Sequence, residues 1–191
     1  MGSLTEFERS IIIGSLLGDG YMRIMPGRSN AFLEINHSIK AKEYVDYKFE
    51  KLKRICESAP KKRNTNEGRV AYRFFTKQHK DLTILYEMFY KNKRKIIPKN
   101  LLLDPLSLAI WYMDDGSKSR DRDIYLNTQQ FSLLEQNSLV DYLAKFGIKA
   151  RLNKDKKYYR IRILKESIGE FMKIISPYII PSMQYKLVMT L

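Results

Sequence analysis

Two segments of this chain echo each other, and the echo constrains the fold more than any other feature. Residues 11–20 read IIIGSLLGDG and residues 107–116 read SLAIWYMDDG. Both are apolar runs closed by Asp-Gly, about half of the 191-residue chain apart. A second pair follows the first. Residues 94–102 read RKIIPKNLL and residues 177–187 read PYIIPSMQYKL, each with Ile-Ile-Pro downstream of its own Asp-Gly. The order of landmarks repeats while their spacing differs, as expected of an old duplication with halves at 1–100 and 101–191. Each run is apolar nearly all round, which predicts a buried helix. Thr5 and Glu8 form a capping box ahead of the first. Asp104 and Pro105 supply an N-cap and a first-turn proline ahead of the second. Gly20 and Gly116 are expected to end these helices. Gly14 and Gly18, four residues apart, leave one face of the first helix bare, so a partner helix can approach closely there.

Helical spacing of apolar residues recurs at 40–57 (Val45, Phe49, Leu52, Cys56), 80–90, 133–146 and 166–175. Alternation predicts strands at 32–37, 69–76, 124–129 and 157–164. In the last, Tyr159, Ile161 and Ile163 oppose Tyr158, Arg160 and Arg162. In 69–76, Val70, Tyr72 and Phe74 oppose Arg69, Arg73 and Phe75. Phe32, Glu34 and Asn36 share a face, as do Tyr125, Asn127 and Gln129. The picture is an α+β chain whose sheets offer helices an apolar face and leave a polar, arginine-bearing face free.

Charge suggests what that face meets. Lysine and arginine number 35 against 21 acids, for a net +14. Such an excess suits a polyanion, because each neutralised phosphate releases counterions. Arginine, asparagine and glutamine also read base edges bidentately. The contact set proposed for DNA is Arg23, Arg28, Asn36, Arg69, Arg73, Lys118, Asn127, Gln129, Arg160 and Arg162. Arg120, Arg122 and the Pro60-Lys61-Lys62-Arg63 run are phosphate contacts or solvated loops. A single cysteine, Cys56, excludes an internal disulfide framework and a cysteine-rich zinc site. Cys56 is expected in the core, and His79 at the surface or as a helix cap. No apolar run approaches a membrane span, and the polar start MGSLTEFERS lacks a signal-peptide pattern. A soluble protein of a reducing or neutral compartment is expected.

The chemistry is expected at Asp19 and Asp115, which close the two apolar runs. If the helices pack through the glycine face, these carboxylates meet at one edge of the interface. They would repel unless a cation sat between them. Hard oxygen donors suit Mg2+ (or Mn2+), which retains water and takes phosphate oxygens. A metal so placed activates water against a phosphodiester. Lys95 and Lys186 flank the Ile-Ile-Pro segments and are placed to offset charge on the reacting phosphate, with Lys99 an alternative to Lys95.

The two motifs, together with IIPKNLLLDPLSLAIWYMDDGSK, IYLNTQQFS and YIIPSMQYKL, resemble the LAGLIDADG homing endonucleases. The similarity is to the monomeric, double-motif type, in its yeast mitochondrial intron-encoded branch, and it covers residues 5–187. It implies two pseudo-symmetric αββαββα halves, each a mixed or antiparallel sheet with helices on one face, packed through the two motif helices. It implies a metal-dependent double-strand break across the minor groove of a long target, leaving 3′ overhangs. It implies metal on Asp19 and Asp115, with the backbone carbonyls of Gly18 and Asp114 assisting. The basic residues implied are Lys95 and Lys186; Gln129 would lie near the scissile phosphate, with His37 or Asn36 as its first-half counterpart. Ser15, Leu16 and Leu17 depart from the family pattern, and Trp111 and Tyr112 add bulk. Close packing would then rest on Gly14, Gly18 and Ala109, across an asymmetric interface. Double-stranded DNA is the expected partner of a monomer. The alternatives are a maturase acting on its host intron RNA and a catalytically dead DNA-binding regulator. Retention of both acids and both lysines favours the nuclease. Richness in lysine, isoleucine, asparagine and tyrosine suggests an AT-rich genome, organellar or else prokaryotic.

Overall fold

The computed structural model describes residues 2–64, 68–119 and 123–188. The first half runs α1 (Glu6–Leu17), β1 (Tyr21–Ile24), β2 (Ala31–Ser38), α2 (Lys42–Leu52), β3 (Lys61–Asn64), β4 (Val70–Phe75) and α3 (Lys80–Phe89). A short ladder, β5 (Tyr90–Lys91) with β6 (Arg94–Lys95), follows. The second half runs α4 (Pro105–Asp115), β7 (Gly116–Ser119), β8 (Asp123–Leu126), α5 (Leu133–Ala144), β9 (Ala150–Asp155), β10 (Tyr158–Ile163) and α6 (Ile168–Ile175). Each half is αββαββα. The two antiparallel sheets have matching orders, β1-β2-β4-β3 and β7-β8-β10-β9. The implied α+β architecture with two pseudo-symmetric halves is present.

Local chemistry starts both central helices as expected. Thr5 Oγ1 accepts from the Glu8 amide at 3.1 Å, and Glu8 Oε2 accepts from the Thr5 amide at 2.8 Å. Asp104 Oδ1 accepts from the Ser107 amide at 2.7 Å, and Ser107 Oγ accepts from the Asp104 amide at 2.9 Å. Each cap satisfies helix amides that otherwise lack partners, worth about 1 kcal/mol. The helix ends differ from expectation. α1 stops at Leu17, so Asp19 lies in a turn beyond it, whereas α4 runs through Asp115. Neither Gly20 nor Gly116 adopts a positive φ. They are needed for space: a Cβ on Gly20 would lie 2.7 Å from Ser15 O, and one on Gly116 would overlap the Tyr112 ring.

α1 and α4 lie side by side and parallel. Ser10 Oγ donates to Asp104 Oδ2 at one end, and Gly18 abuts Asp114 at the other. Midway, a Cβ on Gly14 would lie 2.5 Å from Ser107 O and 2.6 Å from Ile110 Cβ. The glycine groove is on α1, and Ser107, Ile110 and Asp114 of α4 fill it; Ala109 does not supply the closest atoms. The interface is asymmetric for that reason. Gly14→Ala should therefore destabilise by about 1–3 kcal/mol, even though alanine gains about 1 kcal/mol of helix propensity. Urea melts of the two proteins check this, and equal stability would mean that the helices can separate without cost.

Leu33 and Ile35 of β2, Ile124 and Leu126 of β8, and Ile161 and Ile163 of β10 face the helices and are fully buried. Cys56 is in the core at 8% exposure, and burial pushes its thiol up to about 12. His79 is buried rather than superficial; its Nδ1 accepts from the Asp81 amide at 3.1 Å and caps α3. Three strands are shorter than the alternation implied, β10 by one residue at each end. β4 begins at Val70 and leaves Arg69 just outside, and β8 ends at Leu126. There the chain must turn to reach Ser132, the capping residue of α5. The edge strands β1, β3, β7 and β9 escape the alternation pattern. β3 contains the lysine–arginine run at 61–63, exposed throughout, and charge on an edge strand discourages pairing with another chain. Arg120 and Arg122 lie outside the described residues. Among the described residues, no helix is long and apolar enough to cross a membrane.

Candidate active site at the paired motif helices

The close approach of α1 to α4 brings Asp19, Asp114, Asp115, Lys95 and Lys186 together. Asp19 is about half exposed, at 51% of its side chain. Its backbone amide donates to Asp114 Oδ2 at 3.3 Å. Each lysine sits on the carbonyls at one helix end. Lys95 Nζ donates to Gly18 O at 2.8 Å. Lys186 Nζ donates to Met113 O at 2.6 Å and reaches Asp114 O at 3.5 Å. A cation at a helix C-terminus is favoured by the unpaired carbonyls there. The Gly18 and Asp114 carbonyls singled out by the resemblance are thus lysine-bound, and each retains a second lone pair.

The electrostatics are those of a strained cluster. Burial, then the charges of Asp19 and Asp114, raise the Asp115 carboxyl to about 8, against the opposing pull of Lys95 and Lys186. Burial lowers Lys95 to about 8, although all three aspartates oppose the shift. Burial lowers Lys186 in the same direction. Asp115 Oδ2 is buried and finds no hydrogen-bond partner among the described residues. An unpaired carboxylate oxygen beside two more carboxylates is an arrangement that a divalent cation stabilises, and oxygen donors suit Mg2+ or Mn2+. The donor set therefore fits such an ion.

Sequence reasoning misses one participant and leaves a second open. The Asp114 side chain is fully buried and paired with Lys48, itself 0% exposed, at 2.8 Å. Lys48 Nζ also contacts Asp114 Oδ2 at 3.0 Å and lies 4.4 Å from the Tyr44 ring centroid. Lys48 belongs to the apolar stripe of α2 with Tyr44, Val45, Phe49 and Leu52, and a lysine in such a stripe is the one sequence signal of a buried partner. His37 is the second. Its Nδ1 lies 3.6 Å from Asp19 Oδ2 and its Nε2 3.7 Å from Asp114 Oδ1. Burial and the Lys48 charge lower the imidazole pKa, opposed by Asp114 and Asp19. Asp19, His37 and Asp114 offer ligand atoms within 4.8 Å of one another. Strand parity decides between the two first-half residues. His37 shares the helix-facing side with Leu33 and Ile35, whereas Asn36 points to the exposed face.

The other named residues divide between the sheets and the turns. On the first sheet, Arg23 lies over Phe32 at 5.2 Å and Arg73 over Phe75 at 5.0 Å. Glu34 lies between them, 3.2 Å from Arg73 and 3.8 Å from Arg23. Asn36 and Arg69 are exposed, as is Arg28 in the loop between β1 and β2. On the second sheet, Arg160 lies 3.9 Å from the Tyr125 ring centroid and Arg162 pairs with Asp123. Lys118 of β7 donates to Leu187 O at 3.3 Å. The expected polar face of Tyr125, Asn127 and Gln129 does not form. Tyr125 is buried beneath Arg160, and Asn127 leaves the sheet to donate Nδ2 to Asp115 O at 2.8 Å. Asn127 therefore braces the second motif. Gln129 is half-buried in the turn beyond β8, and its neighbour Gln130 reaches Leu17 O at 3.5 Å.

A model of the LAGLIDADG DNA endonuclease family matches residues 9–171. The chain belongs to that family. Within it, the chain is 29% identical over 199 residues to probable intron-encoded endonuclease 1 of Wickerhamomyces canadensis, covering 97% of this chain and 85% of the relative. It is 34% identical to the cytochrome b mRNA maturase bI2 of Saccharomyces cerevisiae, over 98% of this chain but 48% of that longer protein. The solved structure of the homing endonuclease I-WcaI bound to its DNA recognition sequence superposes with a TM-score of 0.90 at 28% identity, spanning 100% of this chain and 90% of that one.

Proposed function

We propose that this chain is a site-specific DNA endonuclease that breaks both strands of a long target with a divalent cation, leaving 3′ overhangs. The observation that carries the reading is the pair of carboxylates where the two helices end, one with a buried oxygen unpaired among the described residues, each beside a half-buried lysine. Relatives named as intron-encoded endonucleases support it, as does the DNA-bound homing endonuclease of the same fold.

Asp19 and Asp115 would hold the cation, with the Gly18 and Asp114 carbonyls at its margin; when bound, it supplies a water of lowered pKa and a Lewis acid toward the phosphate. Lys95 and Lys186 stabilise charge developing on the phosphate oxygens. Lys48 neutralises Asp114 and holds it against Gly18, so that this third carboxylate braces the site. Arg23, Arg28, Asn36, Arg69, Arg73, Lys118, Arg160 and Arg162 contact the duplex, and Gln129 lies at the edge nearest the scissile phosphate. The aromatic rings under Arg23, Arg73 and Arg160 fix the planes of the guanidinium groups. Both halves lie in one chain, so a monomer suffices, and the intron-encoded relatives suit an organellar setting.

The maturase relative supports a second reading, in which the same basic chain binds its host intron RNA. A randomised duplex library incubated with and without Mg2+ separates the two. Discrete 3′-overhang ends at one motif, only with metal, are expected. Binding to DNA without cutting favours the regulator, and neither binding nor cutting of DNA favours the RNA reading.

A further inference from the structure

The two lysines of the site are held in place by different means. Lys186 is fixed from within its own motif, where Tyr112 Oη donates to Lys186 O at 2.6 Å. Lys95 is fixed from the opposite half. It ends β6 at the start of the Ile-Ile-Pro segment, and Glu135 of α5 binds the chain on both sides of it. Glu135 Oε2 accepts from Arg94 Nη2 at 3.0 Å, and Glu135 Oε1 accepts from the Ile97 amide at 3.3 Å. Further along the strap, the Tyr142 hydroxyl of α5 donates to the Pro98 and Lys99 carbonyls and accepts from the Leu101 amide at 3.0 Å.

We propose that Glu135 is the positioning residue for Lys95, setting that ammonium against the Gly18 carbonyl from across the halves. Its capping role does not explain this geometry. The cap of α5 uses Oε2, which accepts from the Ser132 amide at 2.7 Å, whereas Oε1 is turned to the strap. Nor does ion-pair strength explain it. Arg94 is 59% exposed, and a pair so exposed adds little stability. What the contact supplies is placement. A displacement of ~1 Å at a reacting centre costs on the order of a hundredfold in rate. The inference rests on Lys95 acting in DNA cleavage, as proposed above.

Glu135→Gln tests it, because the amide oxygen can still serve the cap while the charge that holds Arg94 is lost. The substrate is the target selected by the wild-type chain, each strand end-labelled, and the same site in a supercoiled plasmid. Under single-turnover conditions the strand beside Lys95 should be cut on the order of tenfold more slowly. The other strand should be unaffected, so nicked circles accumulate. Lys95→Met should bias the same strand. Arg94→Gln, altered at an exposed position where folding is not at stake, should show the same bias. Equal slowing of both strands, as a general weakening of the fold would give, overturns the proposal. So does an unaltered strand ratio in Glu135→Gln and Arg94→Gln. Wild-type protein that cuts neither strand refutes the nuclease reading, and this inference falls with it.

Discussion

Asp115→Asn should abolish double-strand cleavage while leaving DNA binding intact. Asp19→Asn should do the same. Each removes a negative oxygen donor from the place where a divalent cation would be held. Losing ~4 kcal/mol of transition-state stabilisation lowers the rate about a thousandfold. The fold should tolerate Asp115→Asn well. Among the described residues Asp115 Oδ2 has no hydrogen-bond partner to lose, and its carboxyl is already pushed up to about 8 by burial and its acidic neighbours. Single-turnover cleavage and gel-shift binding of the three proteins provide the measurement. Cleavage by either variant within a few fold of wild type would remove the carboxylate pair from the mechanism.

The largest effect on stability should come from Lys48→Met. This change leaves the fully buried Asp114 carboxylate without its cation. Breaking a buried pair from one side costs about 3–5 kcal/mol, which in a chain of this size lowers Tm by about 6–20 °C. Adding Asp114→Asn should restore most of the loss, because the uncompensated charge is then gone. A double variant as unstable as Lys48→Met alone would show that Lys48 matters for packing against Tyr44 rather than for charge.

What the amino-acid sequence reveals here depends on the range of the interaction. The capping box at Thr5 and the N-cap at Asp104 are legible because the partners lie within four residues, although the reciprocal bond from Ser107 emerges only in the structure. The paired acids are legible because the motif recurs, and so are the two lysines beside Ile-Ile-Pro. The pairing of Lys48 with Asp114 spans 66 positions, and nothing local announces it beyond a lysine in an apolar stripe. Glu135 shows the same limit. Its cap with Ser132 is local, while its hold on Arg94 and Ile97 depends on how the halves dock. Asn127 and Gln129 mislead for another reason. Alternation persists through residues 124–129, but the chain leaves the sheet after Leu126 to reach the next helix. Polar residues alternate in a turn as readily as in a strand, so periodicity alone misplaces the end. His37 and Asn36 are adjacent, and only the observed register assigns one to the cluster and the other to the open face.

The groove between the central helices belongs to one partner alone. α1 presents the bare stretch at Gly14 and Gly18, and α4 presents Ile110 and Asp114 to fill it. A second α1 would bring no side chain to the bare positions, and a second α4 would offer no glycine to receive Ile110 and Asp114. The two halves thus divide the fit between them, one keyed and the other slotted. Neither helix is self-complementary along this contact. In the nuclease proposed here, the same one-way fit leaves each half free to differ in the DNA sequence it reads.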